Sequence, residues 1–117
     1  MNKELIIQRY KQPKFFSKNI IPNGKSINSQ CGDEIYIKLK TDNNFVTEAL
    51  YNGSGCSICL ATADILIENI LNKEITEVKK ITKSQLFELI GMDENSGRKR
   101  CASLSLEAII DALNNVE

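Results

Sequence analysis

The chain contains no histidine. Imidazole is therefore excluded as a metal ligand, and a tetrahedral ion held here has to draw on sulfur and carboxylate. An excess of one charge is also missing, because 15 Lys and Arg face 15 Asp and Glu. No overall field draws such a chain to nucleic acid or to an anionic membrane. No stretch approaches the roughly 18 apolar residues of a membrane span. The opening MNKELIIQRYKQPKFF scatters charges among its apolar residues and lacks the apolar core and cleavage site of a secretory signal. These absences lead to the expectation of a cytoplasmic protein with neither nucleic acid nor membrane as partner. Prolines number only two, no internal repeat occurs, and GSG at 53–55 is followed by neither the lysine nor the Ser/Thr of a phosphate-binding loop.

What is present describes an ordinary globular chain. Hydrophobic residues make up 42% and charged residues 26% of 117 positions, enough for one domain, residues 1–117, around one core. Asn2 to about Lys11 suits a short amphipathic helix closed by Pro13, and Phe15 and Phe16 then anchor a loop. KNIIPNGKSINSQ reads as a turn-rich connector. From Asp33 to Lys40, Ile35, Ile37 and Leu39 alternate with Glu34, Tyr36, Lys38 and Lys40, the period-two pattern of a half-buried strand. Asp42-Asn43-Asn44 reads as a tight turn into a second strand, Phe45 to Tyr51, with residues around Ile27 as an optional third. Asn52-Gly53-Ser54-Gly55 ends the hairpin, and CSICLATADILIENIL turns helical. Shorter helices are expected near Glu77 and from Ser84 to Ile90, ended by Gly91, and a last helix from about Cys101 to Val116. The order predicts an α+β fold, a small antiparallel sheet of up to three strands with helices packed on one face.

Four cysteines carry the chemistry. Cys31 enters the hairpin, Cys56 follows a glycine-rich loop at the start of a helix, and Cys101 follows the basic run Arg98-Lys99-Arg100 at the start of the last helix. A helix N-terminus lowers a thiol pKa, so Cys56 and Cys101 are expected as ready thiolates. In a reducing compartment such cysteines bind metal or do chemistry more often than they form disulfides. Three thiolates with Asp33 suffice for tetrahedral zinc, although their scattered spacing is unlike a paired CxxC ribbon. Asp33 alone also suits a polar loop residue, Gly53 and Gly55 suit turn formers or a mobile loop, and the basic run suits a solvated surface. Cys56 and Cys59 form a local CxxC, but as a thioredoxin-like redox pair it is poorly placed, following an antiparallel hairpin instead of a βαβ unit. Cys59 shares a helix face with Ala63, Leu66 and Ile70 and is read as core packing.

CGD followed by a strand, GSGCSI opening a helix and RKRCASLSLEAI opening the last helix, together with IIQRYKQP near the start, resemble the U-type iron–sulfur cluster assembly family of IscU, SufU and the NifU N-terminal domain. The resemblance covers nearly the whole chain. It implies that Cys31, Asp33, Cys56 and Cys101 correspond to the family's zinc or [2Fe-2S] cluster ligands. It further implies a protein that accepts persulfide sulfur from a SufS- or IscS-like cysteine desulfurase, a pyridoxal-phosphate enzyme, and serves apo iron–sulfur proteins. Cys31 is the candidate acceptor in a SufU-like mode and Cys101 in an IscU-like mode; in the first the protein is a zinc-dependent sulfurtransferase, in the second a scaffold. A structural zinc module remains a third reading. IscU-type members carry a histidine and a proline-rich chaperone motif before the third cysteine, where this chain has Arg100 preceded by GMDENSGRK, so it resembles SufU more closely. It lacks the SufU-type insertion between the second and third cysteines.

Overall fold

In the computed structural model, residues 1–116 are described. They form α1 (Lys3–Lys11), β1 (Gly24–Asn28), β2 (Asp33–Asp42), β3 (Phe45–Ser54), α2 (Ser57–Ile70), α3 (Ile75–Lys79), α4 (Lys83–Ile90) and α5 (Lys99–Asn115). The strands make one antiparallel sheet in the order β1-β2-β3, the expected α+β architecture. Ile35, Ile37 and Leu39 of β2 are buried, and with Val46, Ala49 and Tyr51 of β3 they form the sheet face on which α2 and α5 pack. A register shift between Lys40 and Thr41 explains why the inward positions of β3 skip from Val46 to Ala49. The β2–β3 turn has Asn43 and Asn44 at φ 52° and 69°, the left-handed pair that suits a two-residue hairpin. No helix of the described residues is long and apolar enough to cross a membrane.

Two boundaries differ from the sequence reading. β3 runs on through Asn52, Gly53 and Ser54, which pair with Tyr36, Ile35 and Glu34 instead of ending the hairpin. The last helix begins at Lys99, so Cys101 lies inside its first turn. The segment read chiefly as a connector also holds β1, whose inward positions are Gly24, Ser26 and Asn28, while Ile27 faces outward at 50% exposure.

Gly24 shows why a glycine faces the core. A Cβ there would land 2.5 Å from the backbone nitrogen of Ala112 and against the carbonyl oxygen of Ala108, so α5 crosses β1 at backbone contact. The Lys25 N–H donates to Asp111 Oδ2 at 3.0 Å and the Ser26 hydroxyl to Glu107 Oε2 at 3.0 Å, which aligns α5 antiparallel to β1. From Asp111 back to Cys101 the helix rises about 15 Å. That carries Cys101 to the far end of β1, where the chain turns into β2.

On the other side of α2, α1 is tied down by the buried carboxylate of Asp64. It accepts from Arg9 Nε at 2.6 Å, from the Lys14 N–H at 3.0 and 3.2 Å, and from the Phe15 N–H at 2.8 Å. Arg9, itself buried, also pairs with Glu68. Removing one partner of a buried pair leaves the other charge uncompensated. Asp64→Ala is therefore expected to lower unfolding free energy by about 3–5 kcal/mol, measured by chemical denaturation followed by circular dichroism.

Candidate functional site

Asp33 opens β2 on the same parity as Ile35, Ile37 and Leu39, so its carboxylate points to the face that α5 covers and is only 5% exposed. Cys31, exposed in the preceding turn, donates its thiol to Asp33 Oδ2 at 3.3 Å. Cys101 arrives from above in the first turn of α5. One ligand atom each from Cys31, Asp33 and Cys101 lies within 4.8 Å of the others.

Cys56 stands beside this trio. It is the N-cap of α2, its sulfur accepts the Cys59 N–H at 3.4 Å, and its charge contributes to the raised pKa of Cys101. Gly55 makes the approach possible: a Cβ there would sit 2.7 Å from Asp33 Oδ1. Any larger residue would push the loop, and Cys56 with it, off the carboxylate. This packing role was missed in the sequence, where Gly55 suited a turn or a mobile loop equally well; its position next to a candidate ligand was the available signal.

The electrostatics reverse one expectation. Cys101 was expected as a ready thiolate, but its pKa is pushed up to about 12, first by burial, then by its hydrogen bond to Asp33 and by the charge of Cys56. The partial positive charge of one helix end is outweighed by a carboxylate and neighbouring sulfurs at close range. Two thiols and a carboxylate converge within 4.8 Å, with the Cys56 thiol beside them and no protein cation in the trio. That donor set fits a thiophilic cation, and tetrahedral zinc takes such ligands.

Cys59 is fully buried on the face of Ala63, Leu66 and Ile70, as its packing reading requires. Its thiol is also pushed up, mainly by burial and then by the charges of Asp33 and the other three cysteines. Arg98, Lys99 and Arg100 are exposed, and none forms an ion pair among the described residues.

The family model described as NifU-like N terminal domain matches residues 1–117. The chain is 26% identical to the zinc-dependent sulfurtransferase SufU of Bacillus subtilis, with 92% of this chain and 85% of that protein covered. It is also 26% identical to the iron–sulfur cluster assembly scaffold protein IscU of Thermotoga maritima, covering 99% of this chain and 94% of the relative. Among solved structures, a putative iron–sulfur cluster assembly scaffold protein for the SUF system from Fervidobacterium islandicum superposes with a TM-score of 0.73 at 20% identity, with 94% of each chain covered. The N-terminal part of a NifU-like protein from Brucella abortus gives 0.76 at 13% identity, covering 96% of this chain and 91% of that one. At these identities the structures establish the shared fold.

Two outcomes follow from the geometry. In chelator-treated protein, Asp33→Asn removes a negative neighbour, so Cys101 ionises at lower pH. Its alkylation profile is expected to shift to lower pH, read by mass spectrometry of the Cys101 peptide after timed iodoacetamide exposure. Zinc at about 100 times its dissociation constant adds about 2.7 kcal/mol to the folded state. Thermal melting with zinc and with chelator is expected to differ accordingly, and Cys101→Ala is expected to abolish most of the difference.

Proposed function

Since this chain belongs to the NifU-like N-terminal domain family, we propose that it serves iron–sulfur cluster assembly as an acceptor of persulfide sulfur from a SufS- or IscS-like cysteine desulfurase. Residues 1–117 act as one such assembly domain, working in the cytoplasm where thiols stay reduced. The observation that carries the reading is the convergence of Cys31, Asp33 and Cys101 within 4.8 Å, with Cys56 at their side. These residues come from the turn before β2, the first residue of β2, the N-cap of α2 and the first turn of α5, and they supply sulfur and carboxylate donors to one place.

The chemistry needs an accessible thiolate. Cys31 is exposed whereas Cys101 is half-buried, which favours Cys31 as the acceptor. Its thiolate attacks the outer sulfur of the donor's persulfide; the new Cys31 S–S bond forms as the donor's S–S bond breaks, and the donor leaves as a thiolate. Asp33, hydrogen-bonded to Cys31, holds that thiol at the open edge of the site. Cys31, Asp33, Cys56 and Cys101 are the residues that would hold zinc, and zinc bound there supplies the positive charge that keeps thiols ionised at neutral pH. The name of the Bacillus subtilis relative and Arg100 in place of a histidine both favour this SufU-like mode.

A second reading shares the same residues. The mixed donor set, soft sulfur with one hard carboxylate oxygen, also suits a transient [2Fe-2S] cluster carried as cargo to apo-proteins, as the scaffold name of the Thermotoga maritima relative suggests. Turnover of a cysteine desulfurase with and without the purified protein, alongside its bound metal, separates the cases. Zinc-dependent stimulation of severalfold, lost in Cys31→Ala, is the expected result. A visible-absorbing cluster passed to an apo-ferredoxin would favour the scaffold, with Asp33→Ala slowing its release. Tightly held zinc with neither effect would reduce the protein to a structural zinc module and overturn both readings.

A further inference from the structure

A sulfur acceptor faces a problem of oxidation level. The sulfur of a persulfide is sulfane sulfur, whereas the sulfur of a cluster is sulfide, two electrons more reduced. Those electrons have to come from somewhere, and this chain carries a fourth thiol that the ligand set does not use.

Cys56 caps α2 with extended backbone, φ −72° and ψ 165°, and its Sγ accepts the N–H of Cys59 at 3.4 Å. That bond sets the Cys56 sulfur over the first turn of the helix. Cys59 sits one turn in, and helical side chains lean toward the N-terminus of their own helix, onto the turn before them. The Cys59 thiol is thereby directed back toward Cys56. Both Cys56 and Cys101 pack against the core cluster to which Cys59 belongs. One thiol at the helix end and its partner a turn inside, shielded from solvent, is the local arrangement of a dithiol redox pair. The strand context that argued against such a pair in the sequence is a property of the fold around it; the thiol exchange depends only on this turn.

We infer that Cys56 and Cys59 form an internal reducing pair, with Cys59 as the thiol that resolves a persulfide on Cys56 and releases sulfide. The inference rests on the sulfur-accepting reading above. Sulfur reaches Cys56 directly or from Cys101, whose persulfide yields its outer sulfur to the Cys56 thiolate and reverts to a thiolate. The Cys59 sulfur then attacks the Cys56 Sγ. A Cys56–Cys59 bond forms, the bond between Sγ and the outer sulfur breaks, and the outer sulfur departs as hydrosulfide carrying the proton of Cys59. The two thiols are oxidised by two electrons and the sulfane sulfur is reduced by two. A dithiol reductant in solution reopens the disulfide for the next cycle. In this scheme the sulfide appears beside Cys31, Asp33 and Cys101, where iron would be bound.

The test uses the full reduced chain, freed of added reductant and loaded with inorganic polysulfide. Sulfide release and intact mass are followed in wild type, Cys59→Ser and Cys59→Ala, each checked for native circular dichroism so that a misfolded variant is replaced by the other. Wild type is expected to release one sulfide per chain and to end two hydrogens lighter, with the disulfide mapped to Cys56 and Cys59. Both variants are expected to keep one added sulfur and release at least tenfold less sulfide. Equal release from the variants, or a wild-type disulfide mapped to another pair, overturns the inference while leaving sulfur acceptance intact. Absence of added sulfur in every protein overturns sulfur acceptance and the inference together.

Discussion

The site exists because α5 crosses β1 at backbone distance. Gly24 removes the side chain that would hold the helix away, and Asp111 and Glu107 fix its direction by bonding Lys25 and Ser26. Once that contact is made, the position of Cys101 follows from helix rise alone, and the parity of β2 delivers Asp33 to meet it. Neither residue has to be steered by contacts of its own. The same economy applies to Cys56, whose loop lies close against the Asp33 carboxylate because Gly55 carries no side chain to keep it off.

The groups so assembled repel one another. Burial and the neighbouring carboxylate hold Cys101 protonated far above the ordinary thiol range, so in the metal-free fold this thiol keeps its proton. A cation entering the site displaces that proton and offsets the negative charge beside it, which makes metal binding pH-dependent and links it to stability. A helix end was the wrong feature from which to judge Cys101, because its partial charge is small beside full charges a few ångströms away.

Much of the fold was legible. The alternation through Ile35, Ile37 and Leu39, the paired asparagines of the hairpin, and the apolar stripes of α2 and α5 all state their structure in the sequence, since each is a periodic burial pattern. β1 does not. Its inward positions are a glycine, a serine and an asparagine, because a backbone approach leaves no room for apolar side chains, so the usual signal is absent where the packing is tightest. Asp64 was illegible for a related reason. A carboxylate in an otherwise apolar helix gives no hint that it serves residues 9, 14 and 15, about fifty positions earlier. The ligand residues were found through motif order and resemblance; their spacing alone left packing, loop and metal readings open, because the helix that brings Cys101 to Cys31 does so across 70 residues of chain.

The Asp64 anchor also bears on how the chain folds. α1 precedes its binding partner by 55 residues, and nine residues of helix are too short to persist alone in water. During synthesis from the N-terminus, α1 therefore emerges early and has nothing to fold against until α2 has been made. The contact closes a long loop and carries a high entropic cost, so it belongs to the late steps of folding. The segment that comes first in the chain is the last to find its place.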